Sequence, residues 1–153
     1  MSRPRIALAL GSGSARGWAH IGVIRALAEE GIEPDIVCGT SIGALVGAAY
    51  VTSSLDRLEE WARGLDWWDI VRFMDVKLAG GFIAGEALVD YFRKHIRDRD
   101  MGETKRLFAT VATNLNNGRE VWLQTGPVLE AVRASMALPG LFNPVKVNGE
   151  FLV

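Results

Sequence analysis

The sequence predicts an α/β fold: a mainly parallel sheet with helices on both faces, built from a βαβ start. Three observations carry that prediction. The run Ile6-Ala7-Leu8-Ala9-Leu10 is continuously apolar, the pattern of a parallel strand buried on both faces. A glycine-rich loop, an apolar-periodic helix and a second short strand follow, the order of a βαβ unit with a right-handed crossover. That second strand runs into Gly39-Thr40-Ser41-Ile42-Gly43, of the form G-x-S-x-G, and then into a small-residue apolar segment that reads as a helix.

The elements follow in order. Gly11-Ser12-Gly13-Ser14-Ala15-Arg16-Gly17 leads into a helix whose apolar face is Trp18, Ile21, Ile24 and Leu27, and which stops at Glu30-Gly31. Pro34-Asp35 starts the strand Ile36-Val37-Cys38. Ile42 to Tyr50 is apolar enough for a helix packed on several sides. Ser54-Leu55-Asp56 opens another helix, with Leu55, Leu58, Trp61, Ala62 and Leu65 on one face. Trp67-Trp68 and Ile70 to Met74 lack clean periodicity. The tryptophan pair reads either as core or as a contact for acyl chains or a membrane surface. Gly80-Gly81-Phe82-Ile83 has the composition of a lid hinge, and Leu88, Val89, Phe92 and Ile96 make a helical stripe with His95 near its end.

Leu107 to Thr113 reads as a strand, Asn116-Asn117-Gly118 as its hairpin turn and Glu120 to Gln124 as its partner. Gly126-Pro127 starts a last helix through Val128, Leu129, Val132 and Met136, with proline in the first turn. Pro139, Gly140 and Pro144 end it. Val145 to Val147, the turn Asn148-Gly149 and Phe151 to Val153 make a second hairpin. With no repeat, low-complexity segment or linker, residues 1–153 read as one domain.

Composition narrows the function classes. Hydrophobic residues are 49% of the 153, enough for a sizeable core. A net charge of −1 and a pI near 6.1 leave no electrostatic footprint for nucleic acid. Arg93-Lys94 and Arg97 with Arg99 are diluted by acids and read as a solvated helix face. The single cysteine, Cys38, excludes an internal disulfide and a cysteine-based zinc site, and its apolar strand marks it as a packed thiol. No stretch approaches the roughly 18 apolar residues of a membrane span. The basic start before Ile6 precedes too short an apolar run for a signal peptide, so the expected location is cytoplasmic.

Chemistry centres on Ser41. A strand that becomes a helix within about two residues needs a sharp turn with little side-chain bulk, which Gly39 and Gly43 supply. Such a turn leaves the serine hydroxyl at the helix start, where free N–H groups and the helix dipole favour developing negative charge. The glycine loop admits three readings. As a dinucleotide fingerprint its third glycine is one place late, and Asp35 precedes the second strand instead of following it. As an anion-binding nest, its N–H groups face the same crevice as Ser41, the juxtaposition that an oxyanion hole requires. The third reading is a tight turn made for packing alone. A base is harder to find. His95 alone follows Ser41 in the order of a hydrolase triad, but it lies on a helix; His20, in the first helix, reads as structural. A serine without histidine points to a dyad with a carboxylate.

Together G-S-G-S-A-R-G before W-A-H-I-G-V-I, G-T-S-I-G, and A-S-M-A-L-P-G-L-F-N-P resemble the patatin-like phospholipases, from Arg5 to Val153. The nearest group looks like the bacterial proteins related to the catalytic domain of neuropathy target esterase. The resemblance implies a modified α/β-hydrolase fold with a nucleophile elbow. It implies hydrolysis of fatty acyl esters of lipids through an acyl-enzyme, without metal or organic cofactor. Carried over by position, Ser41 is the nucleophile and Gly11, Ser12 and Gly13 form the oxyanion-hole loop, Ser12 standing where the family usually has a third glycine. The Ile42 N–H is the additional donor expected of such elbows.

One departure is large. The family's catalytic aspartate lies in a D-G motif just after a strand like Glu150-Phe151-Leu152-Val153, and no D-G pair occurs in these residues. The expectation is an N-terminal portion of a longer protein, with the aspartate beyond Val153 and these residues alone inactive. A lipid ester substrate and transient membrane-surface contact are the expected partners, with no nucleic acid. The alternative is a non-catalytic lipid-binding or regulatory protein of the same fold.

Overall fold

Three short parallel strands form the scaffold for the rest of the chain. The computed structural model describes residues 3–65, 92–94, 96–140 and 142–153. In it β1 (Ala7–Leu10), β2 (Ile36–Gly39) and β3 (Leu107–Thr113) pair in parallel in that order, and β4 (Glu120–Leu123) joins β3 antiparallel. Leu10, Gly39 and Thr110 stand side by side. The carboxyl ends of β1 and β2 are therefore level, and their loops leave the sheet next to each other.

The α/β class and mainly parallel sheet agree with the sequence. A 3-10 turn (Ser14–Trp18) and α1 (Ala19–Glu29) connect β1 to β2; α2 (Ile42–Val51) and α3 (Leu55–Gly64) follow β2. A 3-10 turn at Met101–Glu103 precedes β3, and α4 (Val128–Met136) follows β4. The hairpin of β5 (Val145–Val147) and β6 (Glu150–Leu152) closes the described chain. Nine of the ten α2 residues are buried, as its all-round apolar sequence demands. Leu45, Val46, Val37, Val128 and Val132 form the fully buried centre. Among the described residues no helix is long and apolar enough to cross a membrane.

Helices α2 and α4 pack on each other and on the sheet face that carries Leu10, Val37, Phe108 and Thr110. The other face is more open. Ala7 and Ala9 are exposed, Cys38 between Ala9 and Ala109 is half-buried, and Leu107 and Trp122 are 58% and 50% exposed. Two expectations are thereby corrected: β1 is buried on one face only, and Cys38 is not a fully packed thiol. The physical reason is that β1 is the edge strand of the described sheet and α1 packs on the 3-10 turn and α2, through Ile21 and Ile24. The Trp67-Trp68 pair, the Gly80-Gly81 hinge, Leu88, Val89 and His95 lie outside the described residues; Phe92 and Ile96 are buried.

Two contacts lock the first helices. Trp18 meets Trp61 edge-to-face at 5.6 Å, and Trp61 meets Phe92 at 6.4 Å. Arg25 of α1 donates to Asp56 and Glu59 of α3, and Arg63 donates to Glu59. Hydrogen bonds from Arg63 and then Arg25 hold the Glu59 carboxyl below its ordinary pKa. At the other end of α1, a β-carbon on Gly17 would overlap the buried Ile42 side chain, so that glycine lets the 3-10 turn lie against α2.

A carboxyl with a lowered native pKa stabilises the fold above its unfolded pKa, and that stability is lost as pH falls through the native value. Glu59→Gln is expected to flatten the acid limb of the stability profile, read by urea denaturation from about pH 7 to about pH 3; an unchanged limb would remove the ion cluster from the stability account. Gly17→Ala is expected to cost about 1–3 kcal/mol by overpacking, and distinctly less in an Ile42→Ala background. Equal costs in both backgrounds would refute the Gly17–Ile42 contact.

Candidate active site

Between β2 and α2 stand only Thr40 and Ser41. The reversal is so tight that Ser41 adopts φ 55° and ψ −120°, a left-handed conformation that a side chain rarely takes. Both flanking glycines are required by close approach. A β-carbon on Gly39 would sit 2.6 Å from the Ala44 nitrogen, and one on Gly43 would sit 2.6 Å from the Gly11 carbonyl oxygen. The start of α2 is thus pressed against the end of β1. The Thr40 N–H donates to the Leu10 carbonyl at 3.0 Å, and the Gly43 N–H to the Thr40 carbonyl at 3.0 Å.

This packing brings the glycine loop and the elbow together. Gly11, Ser12 and Gly13 are exposed and Ser41 is half-buried. No hydrogen bond among the described residues engages the N–H groups of Gly11, Ser12, Gly13 or Ile42. Ile42 is the first residue of α2, so its free N–H lies at the positive end of the helix dipole, and no acid stands in that first turn. Such an assembly is suited to holding an anionic oxygen beside the Ser41 hydroxyl.

His20 has a defined task. Its Nε2 lies 2.8 Å from the Gly11 carbonyl oxygen and donates to it. Every described peptide bond is trans, so pinning the Gly11 carbonyl toward His20 points the Ser12 N–H the opposite way. The structural reading of His20 stands, and its partner is the glycine loop itself.

Residues near Ser41 that the sequence did not single out include Ser135 of α4. The Ser41 N–H donates to Ser135 Oγ at 2.9 Å, and Ser135 Oγ donates to the Val111 carbonyl at 2.6 Å. Its signal was present: Ser135 follows Val128 and Val132 at helical spacing on a buried face, where a hydroxyl requires partners.

No carboxylate among the described residues bonds Ser41. Asp35 holds Arg3 and the Ile6 N–H, Asp56 holds Arg25, Asp98 accepts from the Leu129 N–H and Asp100 from the Gly102 N–H. Asp66, Asp69, Asp75, Asp90 and His95 lie outside the described residues. Among the described residues no cluster of histidine, cysteine and acids could hold a metal ion. Cavities of about 420 and 350 Å³ lie elsewhere, beside α4 and at the far end of α2.

Comparison with known proteins agrees with this architecture. The family model described as "Patatin-like phospholipase" matches residues 8–153. Uncharacterized NTE family proteins of Mycobacterium bovis and Mycobacterium tuberculosis are 41% identical over 152 residues, covering 99% of this chain and 42% of theirs. The lysophospholipase nte1 of Emericella nidulans is 36% identical over 155 residues, covering 97% of this chain and 10% of that protein. VipD from Legionella pneumophila shares the fold, with a TM-score of 0.62 at 17% identity over 99% of this chain and 46% of that one. The chain spans less than half the length of these relatives. It belongs to the patatin-like phospholipase family.

Proposed function

We propose that this chain carries the nucleophile and oxyanion hole of a serine acyl hydrolase acting on fatty acyl esters of lipids, of the esterase or lysophospholipase type. The observation that carries the proposal is the strained Ser41 set beside four N–H groups that no described residue engages. A left-handed serine costs of order 1–3 kcal/mol, which a turn made for packing alone would avoid by using glycine or asparagine. Family membership supplies the substrate class.

In the proposed reaction a base removes the Ser41 Oγ proton and the oxygen attacks the ester carbonyl carbon. The carbonyl oxygen takes the negative charge within reach of the Gly11, Ser12, Gly13 and Ile42 N–H groups. Each well-placed donor contributes about 10²–10³ in rate. Collapse expels the alcohol, which takes the proton from the base, and leaves an acyl ester on Ser41. Water, deprotonated by the same base, then frees the fatty acid and regenerates the serine. No metal or organic cofactor enters, and contact with a membrane surface delivers the substrate.

The base in this reading is an aspartate following Val153. One edge of β3 holds β4; beyond the end of β2 the other edge is taken by β6, where Thr113 and Val153 exchange hydrogen bonds and the Leu115 N–H donates to the Phe151 carbonyl. The chain therefore runs antiparallel to β3, toward the level at which β2 ends. Val153 stands three residues from Thr110, the neighbour of Gly39, or about 10 Å along the strand. An aspartate that followed Val153 would approach the elbow region from there.

In the full-length protein, Ser41→Ala is expected to abolish hydrolysis of short-chain p-nitrophenyl esters, and a fluorophosphonate probe to label Ser41. Full activity in the alanine variant would exclude Ser41 as the nucleophile, whereas a wild-type protein that neither hydrolyses the ester nor takes the probe would leave the lipid-binding alternative standing. Replacing the aspartate after β6 is expected to lower kcat by about 10⁴. His20→Ala is expected to lower kcat about 10- to 100-fold at nearly constant KM, because the Ser12 N–H loses its fixed direction. A wild-type kcat would exclude Ser12 from the hole.

A further inference from the structure

Ser135 lies 94 positions from Ser41 and is bonded to its backbone, yet the reaction outlined above makes no use of it. It is 9% exposed, on the apolar face of α4. A serine within a helix ordinarily turns its hydroxyl back to the carbonyl four residues earlier. For Ser135 that carbonyl is Ala131, and it is already occupied: Thr110 Oγ1, from the adjacent β3, donates to it at 3.1 Å. Ser135 instead reaches out of its helix, donating to the Val111 carbonyl of β3 and accepting from the Ser41 N–H. Strand and helix thus exchange hydroxyls, and the exchange leaves the acceptor lone pair of Ser135 aimed at the elbow.

The Ser41 N–H needs such a partner. With φ at 55° it points away from the path of α2, and in this half-buried turn an N–H left unpaired is costly. A bond at this atom also fixes the peptide between Thr40 and Ser41, and with it the direction of the Ser41 Cα–Cβ bond. It withdraws the Ser41 N–H from the oxyanion donors as well, leaving Ile42 as the first free donor of α2.

We propose that Ser135 is a positioning residue: its hydroxyl holds Ser41 in the left-handed conformation that aims Oγ, and Thr110 keeps that hydroxyl directed at Ser41 by occupying the Ala131 carbonyl. The inference rests on the reading of Ser41 as nucleophile.

The test uses the full-length protein as wild type, Ser135→Ala and Thr110→Val. It reads the second-order rate of fluorophosphonate labelling at Ser41, kcat and KM on a p-nitrophenyl ester, and the thermal midpoint. Ser135→Ala is expected to slow labelling and kcat about 10- to 100-fold with KM within about twofold, the signature of a misplaced nucleophile and not of lost binding. Thr110→Val, close to Thr in volume and with Ser135 retained, is expected to show a smaller loss of the same kind, because Ser135 is freed to turn back to Ala131. Labelling of a folded Ser135→Ala protein at the wild-type rate overturns the positioning role and leaves the nucleophile reading intact. If Ser135→Ala does not fold, Thr110→Val decides: a lowered kcat at constant KM supports the inference, and wild-type kinetics overturn it. A wild-type protein that is neither labelled nor active removes both readings together.

Discussion

Everything near Ser41 depends on how closely the start of α2 approaches the end of β1. Gly43 lies against the Leu10 and Gly11 carbonyls, and Gly39 lies against Gly43, with no room for a β-carbon at either. That approach sets the elbow angle and places the glycine loop within reach of the serine. The backbone strain at Ser41 is a local cost of about 1–3 kcal/mol. Burying nearly the whole of α2 offsets it many times over, since each fully buried Val or Leu side chain contributes roughly 1.5–3 kcal/mol. The elbow is held by a rigid helix in the centre of the core, so the strain cannot relax by shifting α2.

Around that helix, three polar contacts fix the directions of backbone groups that the reaction would use or must avoid. His20 turns the Gly11–Ser12 peptide, Ser135 takes the Ser41 N–H, and Thr110 denies Ser135 its own helix. They span 9, 94 and 21 positions respectively, and each ends on a backbone atom. In the proposed site, side chains would set the geometry and the backbone would supply the donors. On that reading a serine at position 12 serves as well as a glycine, since it keeps its N–H, and His20 orients that N–H through the Gly11 carbonyl.

Much of the fold was legible because its signals are local. Leu107–Thr113 is the strand that its apolar pattern predicts and Asn148-Gly149 turns the last hairpin, while Pro127, expected in the first turn of α4, caps it one residue earlier in an extended conformation. The elbow was legible for the same reason: two glycines and a serine between strand and helix admit few conformations. Missed were the features that depend on what the rest of the chain covers. Ala7, Ala9 and Cys38 look like buried strand residues, but composition cannot reveal that, among the described residues, α2 and α4 pack on the opposite face of the sheet. Ser135 was missed because its partners belong to β3 and the elbow, and no spacing within α4 encodes them.

The hydrogen bonding of β6 carries the proposed chemistry one step further. On that reading the nucleophile and oxyanion donors come from one βαβα segment, Ala7 to Val51, whose contacts close over short loops. On the proposed reading the base arrives by a long connection: from β3 out through β4 and α4, and back along β3 as β6. Its position is then only as good as the β3–α4 interface, which the Thr110–Ala131 and Ser135–Val111 bonds clamp. The same two hydroxyls would hold Ser41 from one side and the strand that delivers its base from the other. On the proposed reading, loosening that interface would separate nucleophile from base even with both residues present, and α4 would then carry the registration of the dyad although it contributes no reacting group.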